Sequence, residues 1–161
     1  MFYKTMTYCP ECEHPLEKKF LKDEGDIPYC SQCNRFRFPV FNTAISATLF
    51  NESHAKILLI KQYKMTEYIL LAGYVSQGKN DEATVAREID EELGLKVKSL
   101  TFNATKYYER SNSLMINFAV TVSGAVTPNQ EIDDWDWFSI KDAKKAIKYG
   151  SLAESFLLEN F

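Results

Sequence analysis

From Ala44 onward the chain alternates between short apolar runs and polar breaks. AISATLF at 44–50, KILLIKQ at 56–62 and YILLAGY at 68–74 predict three strands, separated by the turn Asn51-Glu52-Ser53 and by Lys64 to Glu67. The period then changes to that of a helix. Asn80 or Asp81 is placed to cap its start, Ala83, Ala86, Ile89 and Leu93 supply an apolar stripe, and Gly94 sits where a glycine ends a helix. Strands are expected again at about 97–108, 114–123 and 134–138, followed by helical stretches at 142–149 and 151–158 broken at Gly150. Strands and helices interleave without the regular alternation of a doubly wound fold, so the prediction is α/β, a mixed sheet flanked by helices.

Ahead of this pattern stand four cysteines, Cys9-Pro-Glu-Cys12 and Cys30-Ser-Gln-Cys33. Each CxxC gathers two thiolates at a tight turn, and two such turns complete a tetrahedral four-sulfur site with no open position. The spacing therefore points to a structural zinc held by Cys9, Cys12, Cys30 and Cys33. Two disulfides or a redox CxxC would read better with a secretion signal or a strand-helix context, and neither accompanies these pairs. The expected division is a zinc ribbon over 1–39 and a second domain over 40–161, with the hinge near Pro39 to Thr43. So short a ribbon buries little, and the metal would supply most of its folding free energy. His14 lies within the ribbon loop, but four cysteines suffice as ligands, and His14 and His54 are read as surface residues.

The length of 161 residues suits one full-sized domain with a small appendage. A formal net charge of -3 gives no overall reason to bind nucleic acid, although Lys18, Lys19, Lys22, Arg35 and Arg37 make the first forty residues locally basic. No stretch reaches the roughly 18 uncharged apolar residues of a membrane span, and the N-terminus has no apolar signal core. A cytoplasmic protein is expected.

The chemistry concentrates in Arg87-Glu88-Ile89-Asp90-Glu91-Glu92-Leu93-Gly94-Leu95. On a helix Glu88 and Glu92 stand one turn apart with Glu91 beside them, so the carboxylates are expected to converge and either to be solvated or to hold cations. With Gly73 upstream, the segment matches the pattern G-x5-E-x7-R-E-apolar-x-E-E-x-G-apolar at Gly73, Arg87, Glu88, Ile89, Glu91, Glu92, Gly94 and Leu95, and departs from it only at Lys79. In this it resembles the Nudix hydrolases, which implies a mixed-sheet α/β/α sandwich.

A four-cysteine ribbon joined to such a domain is similar to the NADH pyrophosphatase group of that family. The pair Phe38-Pro39, the triplet Ala72-Gly73-Tyr74 and the step from Gly150 to Ala153 match the group. Its proline-rich segment after the box aligns with Thr105 to Ser113, which keeps an aromatic at Tyr108 and the final Ser113 but none of the prolines. The resemblance implies magnesium or manganese at Glu88 and Glu92, Glu91 as a further ligand or water-activating base, and Glu131 as a later ligand, with Asp133, Asp134 and Asp136 as rivals. Arg87 would orient the glutamates, while Trp135 and Trp137 are read as packing residues. Tyr74, Tyr108 and Ala153 become candidates for substrate binding, joined by Phe38 from a second subunit of a homodimer.

The implied activity is metal-dependent hydrolysis of a diphosphate bond in a nucleotide derivative, NAD(H)- or ADP-ribose-like, giving mononucleotides. Two rival readings are a ribbon-mediated nucleic-acid or protein binding module with a ligand-sensing domain, and an enzyme that removes a nucleotide cap from RNA. At Lys79 the pattern's glutamate, a partner for Arg87, is replaced by a second cation. Repulsion is then expected unless the loop moves or another acid intervenes, for which Glu82 is the obvious substitute.

Overall fold

Strand β1 (Glu17–Leu21) folds back on β2 (Gly25–Cys30), which pairs in turn with the short β3 (Arg35–Phe36), giving a three-stranded antiparallel sheet. These come from a computed structural model that describes residues 6–161; the first five residues of the expected ribbon lie outside the described residues. The chain divides into two compact units, one ending at Phe41 and one spanning Asn42–Phe161. In the first, strand register sets Tyr29 opposite Phe36, their rings meet edge to face at 5.0 Å, and the Lys19 ammonium lies 3.9 Å from the Tyr29 ring centroid. Among the described residues of this unit only Cys9, Tyr29 and Cys30 are buried. That is far too little apolar surface to hold a fold by burial alone.

The second unit is a six-stranded mixed sheet with three helices among the described residues. β4 (Asn42–Phe50) lies parallel to β8 (Ser113–Ser123), and β7 (Lys96–Tyr108) pairs antiparallel with the far side of β8. On its other side β4 pairs with β6 (Leu71–Tyr74) along one half and with β5 (Lys56–Gln62) at its end, and β9 (Ile132–Ser139) completes the sheet beside β5. Side-chain alternation divides two cores. Ile45, Ala47 and Leu49 of β4 with Leu58 and Ile60 of β5 meet Val85, Ile89 and Leu93 of α1 (Asp81–Leu93). The opposite face, with Phe50, Ile57 and Leu59, packs Ala143 of α2 (Ile140–Ala146) and Phe156 and Leu157 of α3 (Leu152–Asn160). Trp135 and Trp137 pack against the first core, as the pattern suggested.

Three local expectations are corrected. The buried positions of α1 are Thr84, Val85, Ile89, Glu92 and Leu93, and Ala83 and Ala86 face solvent, because the stripe is centred on the Val85-Ile89-Leu93 row. The strand expected from 68 begins at Leu71, since Tyr68 and Ile69 make only isolated bridges, to Ile147 and Ile60. The helix expected from 142 starts at Ile140, where Ser139 caps it.

Candidate active site

Both ends of α1 are fixed as its sequence suggests. The Asn80 side chain accepts the Ala83 N–H at 2.8 Å, and Gly94 takes the left-handed φ of 65° that ends the helix. One residue before the last of α1, Glu92 falls on the buried side with Ile89 and Leu93 and is only 6% exposed. Its hydrogen-bond partner is Gln62, the last residue of β5, whose Nε2 donates to Glu92 Oε2 at 2.8 Å. A neutral amide leaves the charge uncompensated. Burial first, and then the neighbouring charges of Glu88 and Glu131, push the Glu92 carboxyl up to about 7, while the Gln62 bond offsets part of the rise.

Glu88 lies against β6. Its carboxyl group comes so close to the backbone of Gly73 that any Cβ there would collide with its Oε1, Cδ and Cγ atoms. The glycine is required for that approach, not for a turn. Gly73→Ala is therefore expected to displace Glu88 and reduce turnover by about 10–100-fold, the range typical when residues that orient metal ligands are lost. A far-ultraviolet dichroism spectrum like the parent's would separate this from unfolding, and parental kinetics would contradict it.

Arg87 lies between two acids, with Nη2 donating to Glu88 Oε1 at 2.7 Å and Nη1 to Glu91 Oε2 at 2.8 Å. Glu88 thus neighbours the Glu92 carboxyl and also meets Glu91 across a guanidinium, while Glu92 turns one oxygen to Gln62. Glu82 does not replace the missing partner. It precedes Arg87 by five positions, about 140° away around the helix at 3.6 residues per turn. Its amide instead bonds Asp81, and Lys79 makes no ion pair among the described residues. Arg87 is instead paired with two glutamates of its own helix.

Glu131 enters from the loop after β8, which closes on the end of α1. The Thr127 and Asn129 N–H groups donate to the Leu93 and Glu92 carbonyls at 2.8 and 2.9 Å. Tyr63, 71% exposed at the turn after β5, donates its hydroxyl to Glu131 Oε2 at 3.4 Å. Desolvation and the charges of Glu131, Glu92 and Glu88 raise the Tyr63 phenol above its ordinary range. The rival acids are engaged elsewhere: Asp133 accepts the Lys64 amide, Asp134 pairs with Lys61 at 2.9 Å, and Asp136 accepts the Trp137 amide.

Alternation on β6 turns Tyr74, 59% exposed, away from the Glu88 side. Tyr108 stands two residues beyond Lys106, which pairs with Glu159 of α3, so it shares that opposite face. Ala153 packs against the core there. Phe38 belongs to the first unit and is 52% exposed.

In that unit the Sγ atoms of Cys9, Cys12, Cys30 and Cys33 all lie within 4.8 Å of one another, and no carboxylate group is gathered in this way among the described residues. Separations of 3.3, 3.5 and 3.9 Å fit the edge of a sulfur tetrahedron with metal bonds near 2.3 Å, which is about 3.8 Å, and rule out the S–S bond of a disulfide. The Cys33 amide and the Arg37 guanidinium donate to Cys30 and Cys9 sulfur. Arg35 and Arg37 also pair with Glu11, so part of the apparent basic surplus of this segment is neutralised.

Sequence reasoning missed Gln62, Tyr63 and Asn129. Gln62 was within reach of the signal, since Leu58, Ile60 and Gln62 alternate onto one face. Tyr63 meets Glu131, and the Asn129 amide meets the Glu92 carbonyl, across long stretches of sequence.

Residues 40–157 match the NUDIX domain, and the chain belongs to that family. It is 24% identical over 156 residues to the NAD-capped RNA hydrolase NudC of Vibrio parahaemolyticus, covering 96% of this chain and 59% of that protein. To the NAD-capped RNA hydrolase NudC of Pasteurella multocida it is 28% identical over 141 residues, covering 85% of this chain and 52% of that protein. The chain thus spans about half to three-fifths of these relatives' length. Among solved structures it is similar to a NUDIX hydrolase from Nitrosomonas europaea, with a TM-score of 0.68, 17% identity and coverage of 94% and 88% of the two chains. It is also similar to the NUDIX domain of Shewanella oneidensis NrtR complexed with ADP ribose, with a TM-score of 0.59, 18% identity and coverage of 81% and 88%. These likenesses establish a shared fold.

Proposed function

We propose that this chain is a metal-dependent hydrolase that cleaves the diphosphate bond of an NAD(H)- or ADP-ribose-like nucleotide and releases mononucleotides. The observation that carries this reading is the buried Glu92 carboxylate, which faces the charges of Glu88 and Glu131 while the neutral Gln62 donates to one of its oxygens. Such a potential suits a divalent cation. Glu88, Glu92 and Glu131 would hold magnesium or manganese, which neutralises phosphoryl oxygens and renders a bound water nucleophilic near neutral pH. Gln62 fixes one oxygen of Glu92. Arg87 orients Glu88 and Glu91, leaving the more exposed Glu91 as a further ligand or as the base that takes the proton of the attacking water. Water oxygen joins one phosphorus, the bridging P–O bond breaks, and two monophosphates leave. The four cysteines would hold a structural zinc that takes no part in turnover.

Tyr74 is proposed to stack on a base or on nicotinamide, with Tyr108 and Ala153 on the same side of the sheet. The exposed Phe38 would cover the other face from a second copy of the chain. Because stacking needs the ring and not the hydroxyl, Tyr74→Ala is expected to raise KM by about 10–100-fold, equivalent to about 1–3 kcal/mol, and Tyr74→Phe to leave it near the parent value. Equal losses would replace stacking by a hydrogen bond. The names of the Vibrio and Pasteurella relatives support an NAD-type substrate, so the discriminating panel is NADH, ADP-ribose and NAD-capped RNA with magnesium or manganese, scored by product. Cleavage of one or more to monophosphates is expected. Binding without cleavage of any would make the chain a ligand-sensing module.

A further inference from the structure

The loop between β8 and β9 contains one residue that bonds both ends of the acidic site. The last carbonyls of a helix have no partner within it, and here the loop supplies them. Thr127 takes Leu93, and Asn129 takes Glu92 at 2.9 Å. Thr127 packs so tightly on Gly94 that a Cβ there would collide with its hydroxyl. Asn129 then uses its side chain in the other direction: Oδ1 accepts the Glu131 N–H at 2.8 Å, an Asx turn that sets the course of the chain two residues on. At the far side the Tyr63 hydroxyl meets the Glu131 carboxylate.

We infer that Asn129 is a positioning residue of the cation site, tying the main chain of Glu92 to that of Glu131 so that both carboxylates are presented at one fixed separation. The inference rests on the roles proposed for Glu92 and Glu131. The main-chain N–H of Asn129 anchors the loop to the Glu92 carbonyl and is kept in any non-proline substitution; the side chain adds the Oδ1 bond that sets Glu131 from that anchored point.

Manganese affinity of the full chain, measured by paramagnetic resonance titration without substrate, tests it. Asn129→Ala is expected to weaken manganese binding about ten-fold, the lower end of what residues that orient metal ligands contribute. Asn129→Asp, which keeps the acceptor, should recover most of that loss. Glu131→Ala should weaken binding as well, and adding Asn129→Ala to it should cost nothing further, because the first residue acts through the second. Additive losses, or parental affinity in Asn129→Ala beside weakened affinity in Glu131→Ala, would overturn the inference while leaving Glu131 a ligand. Parental affinity in Glu131→Ala beside lost affinity in Glu92→Gln would remove Glu131 from the site, and Asn129 with it. Should Asn129→Ala not fold, Asn129→Leu against Asn129→Asp carries the same comparison, since only the aspartate retains the acceptor.

Discussion

Glu92→Gln is expected to lower kcat by more than the roughly 100-fold upper range for residues that merely orient ligands, and at the same time to stabilise the metal-free protein above pH 7. The second effect follows from the direction of the shift. Folding raises this carboxyl from an ordinary 4.5 to about 7, so between those values the folded chain binds the proton more tightly than the unfolded chain. The stabilisation is complete below about pH 4.5 and is lost as pH rises through 7. By about pH 8 the metal-free parent has forfeited on the order of 3 kcal/mol at this one residue, whereas an amide never ionises and forfeits none. Magnesium or manganese should raise the parent's melting temperature at pH 8 and not that of the variant. Thermal melts of both proteins with and without the ion check this. A variant less stable than the parent at pH 8 without metal would mean that Glu92 is held by favourable contacts and not strained by burial.

Removing zinc is expected to have the largest structural effect. The described residues of the first unit bury almost no apolar surface, and its four thiols already stand at tetrahedral spacing. Metal binding to such sites is worth roughly 10–16 kcal/mol, and that energy is folding energy. Chelation, or Cys30→Ser at the most buried ligand, should therefore unfold residues up to Phe41 and leave the unit Asn42–Phe161 intact. Limited proteolysis followed by mass measurement reads the outcome. Cuts confined to the N-terminal segment, with one zinc per untreated chain, are expected. A zinc-free chain that resists cleavage there would contradict the structural-zinc reading.

Local rules of the chain made much of this legible. Asn80 and Gly94 mark the helix ends by cap chemistry, the apolar runs of β4 and β5 announce buried strands, and the spacing of Arg87, Glu88, Glu91 and Glu92 points to the site before any coordinate is known. What stayed hidden depends on partners far away in sequence. Ala83 and Ala86 suit a core by type but face water, because the rotation of α1 is set by Val85, Ile89 and Leu93 meeting β4 and β5. Glu82 looked available to Arg87 by nearness along the chain, yet helix geometry points it elsewhere. The raised carboxyl of Glu92 follows from its burial and from Glu88 and Glu131, and Glu131 reaches it only through the loop before β9.

The most direct measurement is phosphorus NMR of NADH and of ADP-ribose incubated with the manganese-loaded parent and with Glu92→Gln. The expected result is replacement of the diphosphate resonances by two monophosphate signals with the parent, and persistence of the diphosphate with the variant. Intact diphosphate in both samples, or equal cleavage by both proteins, would contradict hydrolysis centred on Glu92.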